Sequence, residues 1–170
     1  MHVQAIIGRM GRFSSALQAL VAGMSREEAL YRPDVTTWSI LEVVCHLADE
    51  EVRDFRPRLE RTLAEPQVEW DMFDPVALAT TNDYRGADLG DAAARFIAER
   101  HRSVAWLRGL GEIDWSRTYP HPRVGPVPAG DLLAAWSAHD ALHLRQIAKR
   151  QHELASRDAA GFDSAYAGEW

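Results

Sequence analysis

His139 and His143 stand four residues apart in the segment WSAHDALHLRQIAKR. An α-helix turns about 100° per residue, so positions i and i+4 project from one face, one turn apart. Two imidazoles placed that way can grip one metal ion, and a third ligand normally joins them. His46, in TWSILEVVCHLADEE, is the third candidate. A lone helical histidine is more often a locally hydrogen-bonded residue than a ligand; an inward-facing i,i+4 pair shifts that balance toward metal. His2, His101, His121 and His152 have no comparable spacing. Gly-rich phosphate loops, a nucleophile elbow and CxxC pairs are all absent.

The helix that carries the pair is expected over 130–151, with Leu132, Leu133, Trp136, Leu144 and Ile147 as its apolar stripe. At about 100° per residue His143 falls between Leu132 and Trp136, and His139 falls at the stripe's edge. Both face a core or a cleft in it. Gln146 and Arg150 extend the same line, and polar groups beside an apolar stripe need partners. The helix bearing His46 opens at Ser39, which forms a capping box with Glu42, while Trp38 is placed as an apolar staple against Val43. Leu41, Cys45, Ala48, Val52, Phe55 and Leu59 make its seam, and Pro57 kinks or ends it. Cys45 points into that seam as a small core residue. His46 lies off the seam, on a face shared with Glu42, Asp49 and Arg53. Two readings stay open for that face. It is a solvated surface, or it is a cleft wall in which Asp49 or Glu42 orients the imidazole.

Two more helices complete the pattern, over 3–24 and 91–110, with a short helical turn from the Ser25–Glu28 capping box to Leu30. Residues 63–90 read as a long connection, either a crossover or a lid, and the proline-bearing stretch 111–128 reads as irregular. The tail GFDSAYAGEW has no assigned place. Four amphipathic helices and no convincing strand predict an all-α four-helix bundle, one domain over 1–170.

Composition narrows the partners. A net charge of −6 and a pI near 5.6 argue against a nucleic-acid surface. No apolar run is long enough for a membrane span, and the first residues lack the signature of a signal peptide. A single cysteine excludes an internal disulfide and fits a reducing compartment, so a cytoplasmic location is expected. Trp106 lies off the core stripe of its helix, and it suits either a homodimer interface or packing under a long connection.

The blocks Thr37-Trp38-Ser39-Ile40-Leu41-Glu42-Val43-Val44-Cys45-His46-Leu47-Ala48-Asp49 and His139-Asp140-Ala141-Leu142-His143-Leu144-Arg145-Gln146-Ile147 resemble the DinB/YfiT superfamily. There a W-S-x-x-E-x-x-x-H-L block opens the second helix and an H-x-x-x-H-x-x-Q-I block lies in the fourth. Length, spacing and the preceding Tyr31-Arg32-Pro33 also fit, so the resemblance covers most of the chain. It implies an up-down-down-up four-helix bundle, often dimeric, with zinc or nickel held by His46, His139 and His143 and with open coordination positions. For function it implies a low-molecular-weight-thiol S-transferase that uses bacillithiol, mycothiol or glutathione on a small electrophile. Gln146 or Arg150 would then contact the thiol cofactor's carboxylates. The alternatives are a metal-dependent hydrolase using a metal-bound water, with Asp49, Glu42 or Glu50 as general base, or a non-catalytic metal-binding or stress-related protein.

Overall fold

Two serine–glutamate pairs set where the chain turns into helix. In each, the serine hydroxyl accepts from the backbone N–H three residues on, and the glutamate accepts from the serine's own N–H. The first pair starts α2 (Arg26–Leu30) and the second starts α3 (Ile40–Arg53), both where the residue types predict them. The computed structural model describes residues 1–64 and 66–168; residue 65 of the expected connection and the last two residues of the tail lie outside the described residues.

The first long helix, α1, spans Val3–Val21 and ends three residues short of the expected boundary. Gly23, in the left-handed region at φ 76°, turns the chain out. The helix break expected at Pro57 falls earlier, at Asp54, and α4 (Phe55–Ala64) resumes with Pro57 in its first turn. Proline tolerates a first turn but clashes with the carbonyl four residues back, so continuous helix must stop before it. The 63–90 connection holds more structure than expected. Asp74 caps a short helix, α5 (Pro75–Thr81), with Pro75 at its first position. A 3-10 turn follows over Tyr84–Gly86, capped by the Asp83 carboxylate on the Gly86 N–H, and a Cβ on Gly86 would push that carboxylate aside. α6 runs Leu89–Gly109, started two residues early by an Asp88 cap.

The 111–128 stretch is not irregular throughout: β1 (Thr118–His121) and β2 (Gly125–Pro128) form an antiparallel hairpin. The prolines conceal it in sequence. Pro120 faces Pro126, and in a two-stranded ribbon such positions can lack the N–H because they need not donate across the ladder. The last helix, α7 (Ala129–Asp158), outruns its expected end by seven residues, and a 3-10 turn, Ala165–Ala167, lies in the tail.

Four long helices make the bundle. α1 and α3 each pack against both α6 and α7, and α4 continues α3 along α7. This places α1 and α3 at opposite corners, so the chain crosses the bundle where sequence neighbours would otherwise pair, and the long connections do the crossing. One apolar cluster centres on Leu17, Leu41, Val44 and Phe96, and a second on Ile7, Met10, Leu59, Leu133 and Trp136. Trp106 is half-buried against the second. No described helix is long and apolar enough to cross a membrane.

Between the clusters lies a buried ionic knot. Arg100 on α6 donates through Nε and Nη2 to Glu51 Oε1 (2.9 and 2.7 Å), through Nη1 and Nη2 to both Asp140 oxygens (2.6 and 2.8 Å), and through Nη1 to the Met10 carbonyl (3.2 Å). All five guanidinium N–H groups are used, on partners from α1, α3 and α7. Trp136 Nε1 and Ser103 Oγ also donate to Glu51.

Candidate metal centre

α3 brings His46 to the bundle interior, and α7 brings His139 and His143 to meet it. One ligand atom from each lies within 4.8 Å of the others. The Nε2 atoms of His139 and His143 are 2.9 Å apart. Tetrahedral coordination with bonds of 2.0–2.1 Å would set nitrogens about 3.3 Å apart, so the His139–His143 pair is already near that spacing and His46 is within 4.8 Å of it. The rings are held by aromatic neighbours: Trp38 and Phe73 around His46, and Phe55 against His139. Phe55 in turn stacks on Trp136 with planes 6° apart.

His46 settles the choice left open between a solvated face and a cleft wall. It is 3% exposed. α3 is buried on every side from Ile40 to Glu51, and its polar residues are sheltered by the 66–88 connection. Asp49, fully buried, accepts from Tyr84 Oη (2.6 Å), Asn82 Nδ2 (2.8 Å) and Arg95. Burial alone would raise its pKa; the donors from Tyr84 and Arg95 outweigh it and hold the carboxylate below its ordinary range. Glu42 is taken up by Ser39, Arg32 and Arg85. Neither carboxylate hydrogen-bonds a histidine, so the geometry does not place Asp49 or Glu42 as orienting groups, nor as a base beside the trio. That position belongs to Glu50, one turn after His46. Its Oε1 lies 3.2 Å from His46 Nε2 and its Oε2 lies 3.6 Å from His139 Nε2. The i,i+4 step from His46 was the available signal for it.

Gln146 and Arg150, the residues the resemblance would put against a cofactor's carboxylates, each have a protein partner as well. Gln146 Oε1 sits 2.6 Å from His143 Nδ1. As an acceptor it keeps the proton on Nδ1 and leaves the Nε2 lone pair facing the other imidazoles. Arg150 donates to Thr37 Oγ1 and pairs with Glu153, so its guanidinium ties α7 to the start of α3. Cys45 faces the seam as expected; burial pushes its thiol up to about 11.

The trio suits a cation on three counts. Burial, with smaller effects from the neighbouring rings, pulls His46 and His139 down to about 3, and burial also lowers His143, so all three are neutral donors at ordinary pH. Glu50 Oε2, beside the His139 imidazole, is buried with no hydrogen-bond partner, an expense a nearby cation would offset. Burial, more than the nearby acids, lifts Glu50 to about 8, a charge state that positive charge at the imidazoles would reverse.

These shifts set a pH response for the metal-free chain. Histidines whose folded pKa is depressed contribute stability that is full above 6.5 and lost as pH falls toward 3. Glu50, whose folded pKa is raised, contributes stability that is full below 4.5 and lost as pH rises toward 8. With chelator present, Tm is expected to peak near pH 6.5 and fall by pH 8. In Glu50→Gln the alkaline fall should vanish; thermal melts across that range check it.

Residues 11–147 match the family profile of the DinB superfamily. The chain belongs to the DinB superfamily. Among DinB relatives, a protein of Oceanobacillus iheyensis that carries the provisional name metal-dependent hydrolase is 26% identical over 110 residues, 65% of this chain and 63% of that protein's length. The match thus spans less than two thirds of the curated relative. YfiT from Bacillus subtilis, described as a probable metal-dependent hydrolase with an unusual four-helix bundle topology, superposes with a TM-score of 0.80 at 21% identity, covering 90% of this chain and 87% of YfiT. This DinB chain therefore has the four-helix bundle its sequence resemblance implies, with the small hairpin as an addition.

Proposed function

We propose that this chain is a metal-dependent hydrolase in which His46, His139 and His143 hold one divalent ion and Glu50 is the general base. The carrying observation is Glu50: a buried carboxyl within 3.6 Å of two candidate ligand nitrogens, with one oxygen lacking a hydrogen-bond partner. A divalent ion on three imidazoles supplies Lewis acidity and an open position where a nucleophile's pKa falls toward neutrality. Glu50 then accepts the nucleophile's proton and returns it to the leaving group. Gln146 fixes the tautomer of His143, and Trp38, Phe55 and Phe73 fence the rings and limit water. The names given to the Oceanobacillus relative and to YfiT support the same reading.

A second reading is the low-molecular-weight-thiol S-transferase. It uses the same ion, zinc or nickel, to hold a thiolate. What favours it is Arg145, exposed in the wall of the metal cleft, where an acidic thiol such as glutathione, bacillithiol or mycothiol would find a cation. Metal analysis of the wild type beside His46→Ala, with ester and amide turnover assayed with and without these thiols, separates the readings. About one ion per chain is expected in the wild type, with clear loss in the variant. Turnover is expected to vanish on chelation and to need no thiol. Strict thiol dependence moves the assignment to the transferase, and failure of the wild type to take up zinc or nickel sinks both.

A further inference from the structure

We propose that the metal cleft continues into an anion-binding groove, and that the natural substrate carries a carboxylate or phosphate remote from its reacting group. The proposal rests on the metal-centre reading above. A cleft of about 410 Å³ opens over the three histidines, with Trp38 and Gln146 in its wall. The same two residues line a second cleft of about 380 Å³, which adds Thr36, Thr37, Lys149 and Arg150. Shared walls make the two clefts one groove along α7.

The charge of the second cleft is one-sided. No acidic residue lines the second cleft, although the chain carries a net charge of −6. Arg145 stands over the first cleft and Lys149 over the second. Both are exposed, and neither has an ion-pair partner among the described residues. They sit at i,i+4 on one helix, where like charges oppose helix stability. A concave wall with unpaired positive charge attracts anions. Arg150 is different: Thr37 and Glu153 occupy its guanidinium, so it shapes the floor and leaves the binding charge to Arg145 and Lys149. From His143 to Lys149 is six residues, about 9 Å of rise along α7, so an anion at Lys149 sits further along the helix than a group at the ion.

The test uses cobalt-loaded protein, whose visible absorption reports a sulfur ligand, titrated with mercaptoalkanols, mercaptoalkanoates and mercaptoalkylphosphonates of graded chain length. At the best length an anionic probe is expected to bind about tenfold tighter than the alcohol, as one added charge-assisted contact provides. In the double variant Arg145→Ala/Lys149→Ala that advantage should disappear with cobalt content unchanged. The carboxylate and phosphonate arms show which anion the groove prefers. Equal affinities for acids and alcohol, or an advantage that survives the double variant, overturn the proposal. If no cobalt binds, the metal reading fails, and the groove is read on metal-free protein. Iodide and acrylamide quenching of Trp38 are then compared, with Trp38→Phe as the reference. Iodide quenching that weakens in the double variant while acrylamide quenching holds supports the anion groove; iodide quenching that does not weaken removes it.

Discussion

Glu50→Gln is expected to keep its metal and to lose turnover by about 10²–10⁴-fold, the range a positioned acid or base contributes. The substitution preserves volume and removes only the ability to take a proton. Because Glu50 sits beside the His46 and His139 nitrogens without belonging to the three-histidine cluster, the ion does not need it. The pH dependence is a second readout. In the wild type kcat/KM should rise with pH as Glu50 loses its proton, and in the variant the residual rate should lose that limb. Three outcomes are informative. Metal lost along with turnover would make Glu50 a fourth ligand and the site a closed, structural one. Turnover retained with metal would remove Glu50 as base and favour the thiol route. The expected pattern leaves the hydrolytic assignment standing.

Arg100→Met is expected to destabilise the fold by about 3–5 kcal/mol, because it strands two buried carboxylates without their counter-charge. Arg100 and Glu51 are each 1% exposed and Asp140 is 5% exposed, so water cannot take the guanidinium's place. Burial already lifts Asp140 to about 6 against the pull of Arg100, which shows how little margin that carboxylate has. In a chain of this size the loss should lower Tm by about 10 °C. Replacing all three together, as Arg100→Met/Glu51→Met/Asp140→Leu, should recover much of the loss, since a packed apolar substitute for a buried ion cluster is often near neutral. Thermal melts of the single and triple variants measure both. A shift below about 2 °C in the single variant would mean the knot is not what ties α6 to its three neighbours.

Much of the site was legible in the residues because helix geometry is local. The i,i+4 spacing put His139 and His143 on one inward face, and the capping box at Ser39 fixed the phase of α3 and hence of His46. What lay on the far side of His46 was not local. Periodicity assigned Glu42, His46 and Asp49 to a polar face, and a polar face reads as water. Here its surroundings are Trp38, Phe73, Asn82, Tyr84 and Arg85, delivered by loops and by the connection beyond residue 65. No repeat pattern announces such packing. The family resemblance strengthened His46 as a ligand candidate, but did not single out the acid beside it. For that reason the three candidate bases on α3 separate only by their partners: arginines and a tyrosine for Asp49 and Glu42, and imidazoles for Glu50. The hairpin was hidden for a similar reason, since its prolines are tolerated only because a two-stranded ribbon has two outer edges.

The three histidines also span the loosest seam of the bundle. α3 meets α7 far more sparingly than it meets α6, yet that sparse seam is where His46 faces His139, 93 positions away. An ion shared across it would work as a clasp on a very long loop. A cross-link of that span, were it to persist in the unfolded chain, would narrow the unfolded ensemble by about 4–5 kcal/mol. Unlike a disulfide, the clasp needs no oxidant and opens whenever the ion is withdrawn, so the rate at which the chain yields to proteolysis would follow the supply of free metal around it.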